Sequence, residues 1–199
     1  MSQSPLAARR LVLASTSAYR RELLGRLGLP FECARPDTDE TPLPGEPPAE
    51  TAARLAAAKA SAVRQAFSDA LIIGSDQVAS CDGRRLDKPG THEIATAQLT
   101  FLSGRTASFD TGVCLLDART GRAETRVVAC KVHFRQAEPA QIERYLRKEK
   151  PYDCAGSAKA EGLGIALIER IETEDPTSLI GLPLIALTGL LTSFGLSPV

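Results

Sequence analysis

The chain has 199 residues, which is enough for one globular domain with a hydrophobic core of its own. Its 24 basic residues are balanced by 24 acidic ones, so the chain carries no net charge that would attract nucleic acid or an anionic membrane surface. The most apolar run, residues 179–191, contains two glycines and a proline and is too short to cross a bilayer. These features predict a globular protein whose partner is neither a nucleic-acid polymer nor a membrane.

The five cysteines are widely spaced and include no Cys-x-x-Cys pair, and only two histidines could complete a metal site. This pattern excludes a structural zinc site. An odd number of scattered thiols is typical of a protein in a reducing compartment, because disulfide pairing would leave one cysteine without a partner. The first apolar run is also shorter than the core of a secretory signal peptide. We therefore expect a cytoplasmic location.

The first third of the chain predicts two strands, two helices and a long loop. The apolar run at residues 11–14 has the length of a strand, and the hydroxyl-bearing residues after it can cap a helix that ends near Gly28. Residues 31–34 form a weak strand. Five prolines predict a loop over residues 35–48, followed by a helix over residues 48–67. A strand that leads through small hydroxyl residues into a helix is typical of an anion site.

Lys59 lies on the apolar face of the second predicted helix, with Leu55 and Val63 one turn away on either side. An ammonium group in this position must either extend along the surface to water or meet an anion. The local pattern alone leaves both interpretations open.

Residues 71–74 predict a buried strand that leads directly into Ser75, Asp76 and Gln77. In open α/β sheets, ligands bind at the carboxyl ends of the strands. We therefore expect Asp76 at such an end, where a carboxylate is well placed for chemistry. The alternative is an aspartate that only caps a turn, and the local pattern does not decide between the two.

The rest of the chain predicts a mixed α/β arrangement with one antiparallel insertion. Thr91 can cap a helix that ends at Gly104. Its inner face is predicted to consist of Ile94, Ala97 and Phe101. The later predicted elements are a hairpin over residues 106–134, a helix over 139–150, a glycine-containing loop over 152–164, a strand over 165–171 and a helix over 183–194.

Several cations stand where they could bind separate oxygens of one anion. Arg20 lies in the first turn of a predicted helix, beside Ser15 and Ser17. Lys59 lies on an apolar face, and Lys88 follows a predicted turn. A di- or triphosphate needs such dispersed cations together with hydroxyl and backbone donors, and the dipole at a helix N-terminus adds to them.

Glu40 and Asp76 are candidate ligands for Mg²⁺, an ion that keeps several waters and takes few protein ligands. The sequence contains no G-x-x-x-x-G-K-[ST] motif, which excludes the chemistry of P-loop enzymes. The residues thus predict a site that binds a phosphate chain and a divalent cation without a P-loop.

Spaced sequence blocks carry a resemblance to a known family. They are residues 13–21 (LASTSAYRR), Glu40, 57–60 (AAKA), 74–78 (GSDQV), 87–89 (DKP), 102–105 (LSGR) with 111–113 (TGV), and 153–157 (DCAGS) leading to 161–162 (EG). In this order they closely resemble the Maf family of nucleoside triphosphate pyrophosphatases, over nearly the whole chain. Ala18 departs from the family, in which proline is usual at that position, but this change removes no chemical group.

The resemblance implies a fold and a domain organisation. It implies an α/β fold of the Maf/ITPase type, an elongated two-lobed domain with a central mixed β-sheet and a deep substrate cleft. One such domain would cover residues 1–199, with residues 1–9 as a loose N-terminal tail. By analogy with the family we also expect a homodimer.

The resemblance also implies an activity. Family members hydrolyse a nucleoside triphosphate to the monophosphate and pyrophosphate with a divalent cation, Mg²⁺ or Mn²⁺, and so remove unwanted nucleotides. By this likeness Asp76 is the catalytic residue and a metal ligand, and Glu40 is the second metal ligand. The phosphate chain would be held by Ser15, Ser17, Arg20, Lys59 and Lys88.

Within the family, Asp76 followed by Gln77 resembles the branch that acts on 7-methyl-GTP, whereas the branch for dTTP and UTP usually has threonine after the aspartate. The same likeness places Tyr19, Gln77 and Glu161 at the positions that determine specificity. An aromatic face such as Tyr19 and a carboxylate such as Glu161 suit a guanine that carries a positive charge and N–H donors. Tyr19 could instead only pack against Leu23 on the same helix face.

Two alternatives stay open. The first is a pyrophosphatase for dTTP and UTP, or for deaminated purines, on the same fold, against which Gln77 and Glu161 argue. The second is a nucleotide-binding regulator of cell division or septum formation, for which turnover would be slow or incidental. A complete set of catalytic and phosphate-binding residues argues against pure binding, because a binding protein gains nothing from a positioned base.

Overall fold

The computed structural model describes residues 9–199 as a mixed α/β structure. In this part of the chain none of the helices is both long and apolar enough to cross a membrane. The strands are β1 (Leu11–Ala14), β2 (Glu32–Ala34), β3 (Leu71–Cys81), β4 (Arg84–Leu86), β5 (Thr106–Asp117), β6 (Ala123–Phe134) and β7 (Ile168–Thr173). The α-helices are α1 (Ala18–Gly25), α2 (Pro48–Ala62), α3 (His92–Leu102), α4 (Pro139–Glu149) and α5 (Leu184–Ser193).

All seven strands of residues 9–199 belong to one mixed sheet in the order β2-β1-β3-β5-β6-β7, with β4 paired to β3. Strand β1 runs parallel to both neighbours, with Leu13 opposite Cys33 on one side and Ile73 on the other. The pairings of β4 with β3 and of β7 with β6 are antiparallel. The predicted α/β fold with a central mixed sheet is thereby confirmed. The elongated shape, the two lobes and the substrate cleft stay predictions.

The chain divides into two compact units. The first unit extends to Gln77 and also includes Thr111–Val128 and Asp175–Val199. The second unit comprises Val78–Asp110 and Ala129–Glu174. Strand β3 therefore begins in the first unit and ends in the second. The prediction of one domain over residues 1–199 stays a prediction.

In the first unit, the sheet separates two hydrophobic cores. Because neighbouring residues of a strand point to opposite faces, Ile72 and Ile73 of β3 enter different cores. Ile73 packs in the core that contains residues of α1 and α5. Ile72 packs in the core that contains Ala56 and Ala60 of α2. The two faces of β3 therefore meet different helices.

In the second unit, helix α4 begins as predicted at Pro139, and its buried residues include the predicted Ile142, Tyr145 and Leu146. The inner face predicted for helix α3 was wrong, because Ile94 is 49% exposed. The buried residues of α3 are Ala95, Gln98, Leu99 and Leu102, one position further along the helix. Gln98 can be buried because its amide donates to the carbonyl of Asp87 and accepts from Ser157.

One predicted helix start is confirmed in the structure, and one predicted helix end shifts. Ser17 caps α1 as predicted, since its hydroxyl accepts from the N–H of Arg20. Helix α2 ends at Ala62 rather than near residue 67, although Val63 stays buried and Phe67 still packs on the same core. The apolar periodicity therefore continued past the helix, because it reports burial and not backbone hydrogen bonding.

The predicted tail over residues 1–9 falls mostly on residues 1–8, which lie outside the described residues. The prediction that residue 9 belongs to a loose tail was wrong. The guanidinium of Arg9 donates to both carboxylate oxygens of Asp117 at 2.6 and 2.8 Å. The two side chains are only 7% and 12% exposed. Asp117 also accepts from the N–H groups of Arg119 and Thr120 in the turn between β5 and β6. The partner of Arg9 lies 108 residues away, which no local pattern reveals.

We expect Asp117→Asn to lower the free energy of unfolding by about 2 kcal/mol at pH 7, because a charge-assisted, largely buried pair is lost. The hydrogen bond from Arg9 holds the pKa of Asp117 well below its ordinary value of 3.8. The pair therefore stabilises the folded state fully at pH values above the ordinary pKa of the unfolded state. This contribution is lost as the pH falls towards the lower pKa of Asp117 in the folded state. Urea unfolding at pH 7 and pH 3 should show the difference between wild type and variant shrinking at pH 3. A difference that is equal at both pH values would contradict this account.

Candidate active site

Helix α2 lies directly against the backbone of the sheet at two glycines. A Cβ atom added to Gly74 of β3 would lie 2.1 Å from the carbonyl oxygen of Ala56, and one added to Gly112 would lie 2.3 Å from that of Ala52. Only residues without a side chain allow this approach. The close contact brings the next turn of α2, which carries Lys59, over β3.

The ammonium group of Lys59 lies between two carboxylates. Its Nζ atom is 2.6 Å from Oδ1 of Asp76 and 2.7 Å from Oε1 of Glu40. Lys59 and Asp76 are 5% and 6% exposed, whereas the Glu40 side chain is 58% exposed. Of the two interpretations of Lys59, the one in which the amine meets an anion is therefore correct in this structure. The positive charge also allows two like charges to lie close together.

Asp76 lies in the middle of β3 and not at its carboxyl end, which corrects the prediction. The strand continues to Cys81, because Ser75 and Gln77 find hydrogen-bond partners and can lie in a largely buried strand. The parallel pairing with β1 nevertheless stops at Gly74 opposite Ala14. Asp76 thus lies two residues beyond the part of β3 that pairs in parallel with β1.

The loop between β1 and α1 presents two serine hydroxyls. Ser15 Oγ accepts from the N–H of Ser17 at 3.1 Å, and Ser17 Oγ accepts from the N–H of Arg20 at 3.4 Å. In these contacts each hydroxyl acts as an acceptor, so its own proton can be donated elsewhere. Tyr19 follows in the first turn of α1 and is half-buried. Two hydroxyl donors at the start of a helix suit an anionic ligand.

Arg20 is held in place by a backbone carbonyl far along the chain. Its Nε atom donates to the carbonyl oxygen of Gly181 at 2.8 Å. Burial lowers the pKa of Arg20, while the negative charges of Asp76 and Glu40 raise it. A guanidinium group keeps its proton in proteins, so Arg20 carries a positive charge that interacts with the two carboxylates that contact Lys59.

The other face of β3 is tied to the segment between β7 and α5. Ser75, which is fully buried, donates from Oγ towards the carbonyl oxygens of Gly112 at 2.8 Å and Gly181 at 3.0 Å. Gly181 has a φ of +118°, which favours glycine. The carbonyl of Gly181, which accepts from Arg20, is thus fixed by the hydroxyl of Ser75 and by a backbone conformation that favours glycine.

Gln77 makes three contacts from its amide nitrogen. Nε2 lies 2.9 Å from the carbonyl oxygen of Ser178, 3.1 Å from that of Leu179 and 3.0 Å from Oγ1 of Thr111. Backbone carbonyls only accept hydrogen bonds, so these partners identify which end of the amide is nitrogen. The side chain of Gln77 is therefore fixed in one orientation.

In the second unit, Lys88 is exposed and lies two residues after the end of β4. The backbone on both sides of it is anchored within this unit. Gln98 donates to the carbonyl of Asp87 at 2.9 Å, and the N–H of Gly90 donates to the carbonyl of Tyr152 at 2.9 Å. The side chain of Lys88 therefore projects from a fixed stretch of backbone.

Glu161 is also exposed and lies in a loop of the second unit that helix α4 anchors. The hydroxyl of Tyr145 accepts from the N–H of Lys159 at 3.0 Å. The carboxylate of Glu149 accepts from the N–H of Leu163 at 2.7 Å. These contacts fix the backbone on either side of Glu161.

Eight of the ten predicted site residues belong to the first unit, and two belong to the second. Lys59 is in direct contact with Glu40 and Asp76, and the charge of Arg20 is coupled to both carboxylates. The first unit contains Ser15, Ser17, Tyr19, Arg20, Glu40, Lys59, Asp76 and Gln77, and the second contains Lys88 and Glu161.

Comparisons with known proteins identify the family of this chain. The family model described as "Maf-like protein" matches residues 10–194. The chain belongs to the Maf family. It is 59% identical over 185 residues to the 7-methyl-GTP pyrophosphatase of Thiobacillus denitrificans, covering 93% of this chain and 92% of the relative. It is 57% identical over 185 residues to the 7-methyl-GTP pyrophosphatase of Cupriavidus metallidurans, covering 93% of each.

The residues of this Maf protein fit a cation such as Mg²⁺. Residues 9–199 contain no group of three or more His, Cys, Asp or Glu side chains that could hold a metal ion. Glu40 and Asp76 nevertheless lie close together, because both contact the ammonium group of Lys59. Mg²⁺ takes one or two carboxylates and completes its shell with water and substrate phosphate oxygens. A donor set of two carboxylates suits it.

The residues that support the site of this Maf chain from a distance were not predicted from the sequence. Thr111 and the carbonyls of Ser178, Leu179 and Gly181 hold predicted site residues, but none was assigned a role. Every residue has a backbone carbonyl, so the residue type does not reveal which carbonyl accepts a hydrogen bond from a site residue. The available signal was the run of polar residues in β3, since buried polar groups require partners.

Proposed function

We propose that this Maf protein is a nucleoside triphosphate pyrophosphatase that hydrolyses 7-methyl-GTP to the monophosphate and pyrophosphate. The observation that carries the proposal is the buried ammonium of Lys59 in contact with Asp76 and Glu40, in the same unit as Arg20 and the Ser15-Ser17 loop. The names of the relatives above supply the substrate. The homodimer expected from the resemblance and the cytoplasmic location expected from the cysteine pattern remain predictions.

In the proposed reaction, a water molecule attacks the α-phosphorus of the triphosphate. The new P–O bond forms to the water oxygen, and the bond from the α-phosphorus to the bridging oxygen breaks, which releases pyrophosphate. Asp76 accepts the proton of the attacking water. Lys59 holds Asp76 by one carboxylate oxygen and so fixes the base in position.

The phosphate chain is proposed to be bound by the cations and hydroxyls of the first unit. Ser15 and Ser17 have O–H protons to donate, and Arg20 stays charged beside the carboxylates. Positioning and charge neutralisation are the main contributions of a protein to phosphoryl transfer. Lys59 is also proposed to bind phosphate, and Lys88 enters the proposal through the resemblance to the family alone.

A divalent cation, Mg²⁺ or Mn²⁺, would be held by Glu40 and Asp76. When bound, it would neutralise negative charge on the phosphate oxygens as that charge shifts during the reaction. Glu40 is suited to this task because its carboxylate is the exposed member of the pair that Lys59 contacts. Asp76 would then have two tasks, as metal ligand and as proton acceptor.

The base is proposed to be recognised by Tyr19, Gln77 and Glu161. A guanine presents N–H donors on one edge, and N7-methylation gives it a positive charge. An aromatic face favours that charge, and carbonyl or carboxylate oxygens accept from the donor edge. Glu161 enters this set through the resemblance, whereas the fixed amide of Gln77 supports its own role.

The test is pyrophosphate release by the purified full-length protein with Mg²⁺ or Mn²⁺, measured on 7-methyl-GTP, GTP, dTTP, UTP, CTP and ITP. We expect kcat/KM for 7-methyl-GTP to exceed that for UTP and dTTP by about tenfold or more, because one additional well-made hydrogen bond corresponds to about that factor. A preference for UTP and dTTP would favour the other branch of the family. If no triphosphate is hydrolysed, the nucleotide-binding regulator becomes the better hypothesis.

A further inference from the structure

We propose that Thr111 is a positioning residue that determines base selectivity by fixing the amide of Gln77. The inference rests on the proposed function, because it takes Gln77 as a residue that contacts the base. Thr111 is fully buried in β5, next to β3 in the sheet. Its hydroxyl contacts both the amide of Gln77 and a carbonyl of the segment that precedes α5.

The hydrogen bonds around Thr111 have a defined direction. Oγ1 of Thr111 donates to the carbonyl of Ser178 at 3.0 Å, because a carbonyl can only accept. The single hydroxyl proton is thereby used, so the same oxygen must accept from Nε2 of Gln77 at 3.0 Å. The order Gln77 to Thr111 to Ser178 is therefore unambiguous.

These hydrogen bonds determine which atom of the Gln77 amide can contact a ligand. Its two amide protons are directed at Thr111 and at the carbonyls of Ser178 and Leu179. A reversed amide would place its oxygen against two carbonyl oxygens, which is repulsive. Gln77 can therefore present only its oxygen, Oε1, to the base. An acceptor matches the N–H donors on the edge of 7-methylguanine, of which uracil has fewer.

The acceptors that hold Gln77 cannot easily move away. The carboxylate of Asp175, which is 2% exposed, accepts from the N–H groups of Thr177, Ile185 and Ala186. The hydroxyl of Thr177 donates to Asp175 at 2.6 Å and accepts from the N–H of Leu184 at 2.7 Å. These contacts attach the segment to the N-terminus of α5. The carbonyls of that segment are thus a fixed reference for the orientation of Gln77.

The experiment compares Thr111→Val, which keeps the shape and removes the hydroxyl, with Thr111→Ser, which keeps the hydroxyl. Thr51→Val is the matched control, because Thr51 is also a buried threonine of the first unit and bonds to Glu46 and Pro47 instead. We expect Thr111→Val to lower the ratio of kcat/KM for 7-methyl-GTP to that for UTP by about tenfold. Thr111→Ser should restore the ratio to within about threefold, and Thr51→Val should leave it as in the wild type.

A second readout does not depend on activity. The chain has six glutamines and no asparagine, so a ¹⁵N spectrum of its side-chain amides contains few signals. The signal of Gln77 is assigned by its loss in Gln77→Met. We expect slow hydrogen exchange of this amide in the wild type and in Thr111→Ser, and faster exchange by about tenfold in Thr111→Val.

These readouts separate failure of the inference from failure of the proposed function. A wild-type enzyme with no preference for 7-methyl-GTP over UTP would refute the proposed function and, with it, the role of Thr111 in selectivity. In an enzyme that does prefer 7-methyl-GTP, an unprotected Gln77 amide would refute the inference alone. The same holds if Thr111→Val lowers kcat/KM equally for both substrates, as a purely structural residue would.

Discussion

Replacing Asp76 with asparagine should lower the rate of pyrophosphate release by about a thousandfold while the protein stays folded. A positioned general base contributes roughly 10² to 10⁴ in rate, and Asp76 is also a proposed metal ligand. Asparagine has the same shape but is a far weaker proton acceptor and carries no charge. Lys59 keeps a carboxylate partner in Glu40, so its ammonium does not become an unpaired buried charge.

The matched control is Asp117→Asn, the same substitution at another buried aspartate of the same unit. Asp117 pairs with Arg9 and belongs to no part of the proposed site. The two variants should therefore behave in opposite ways: Asp76→Asn loses turnover with little loss of stability, and Asp117→Asn loses stability with turnover retained. Steady-state rates and thermal unfolding of both proteins check this. Turnover above a tenth of the wild-type rate in Asp76→Asn would remove Asp76 from the mechanism.

The parts of the fold that were predictable are those encoded by neighbouring residues. Ser17 caps α1 because its hydroxyl reaches an N–H three residues later, which a local pattern can reveal. The hairpin of β5 and β6 was likewise predictable, since the turn between its two strands is encoded by neighbouring residues. The face of α3 was not, because a buried glutamine counts as polar until its partners are known.

In the candidate site, too, features that depend on neighbouring residues were predictable and features that depend on distant residues were not. The apolar neighbours of Lys59 in the helix predicted that its amine either reaches water or meets an anion, but they could not decide between the two or identify the anions. Strand β3 was predicted to end before Asp76, because polar residues normally mark the end of a buried strand. Here Ser75 and Gln77 are satisfied by groups 34 to 106 residues away, and only the folded structure brings these together.

The contact between α2 and the sheet leads to the second large expected effect. Gly74→Ala would place a methyl group 2.1 Å from the carbonyl oxygen of Ala56 and 2.7 Å from the backbone nitrogen of Ala60. Neither is a flexible side-chain atom, so the helix or the strand must move. We expect the free energy of unfolding to fall by about 3 kcal/mol, and Tm to fall by roughly 6 to 12 °C for a chain of this length.

Gly74 and Asp76 lie on the same face of β3, so a helix displaced at Gly74 also carries Lys59 away from Asp76. We therefore expect the Gly74→Ala protein that remains folded at low temperature to turn over at least about tenfold more slowly than the wild type. Gly189→Ala is the control, since Gly189 lies in α5 with nothing within 4 Å of an added Cβ. That variant should keep full turnover and gain about 0.5 to 1 kcal/mol of stability. If Gly74→Ala lost stability but kept wild-type turnover when folded, the close approach of α2 would matter for the fold and not for the position of Lys59.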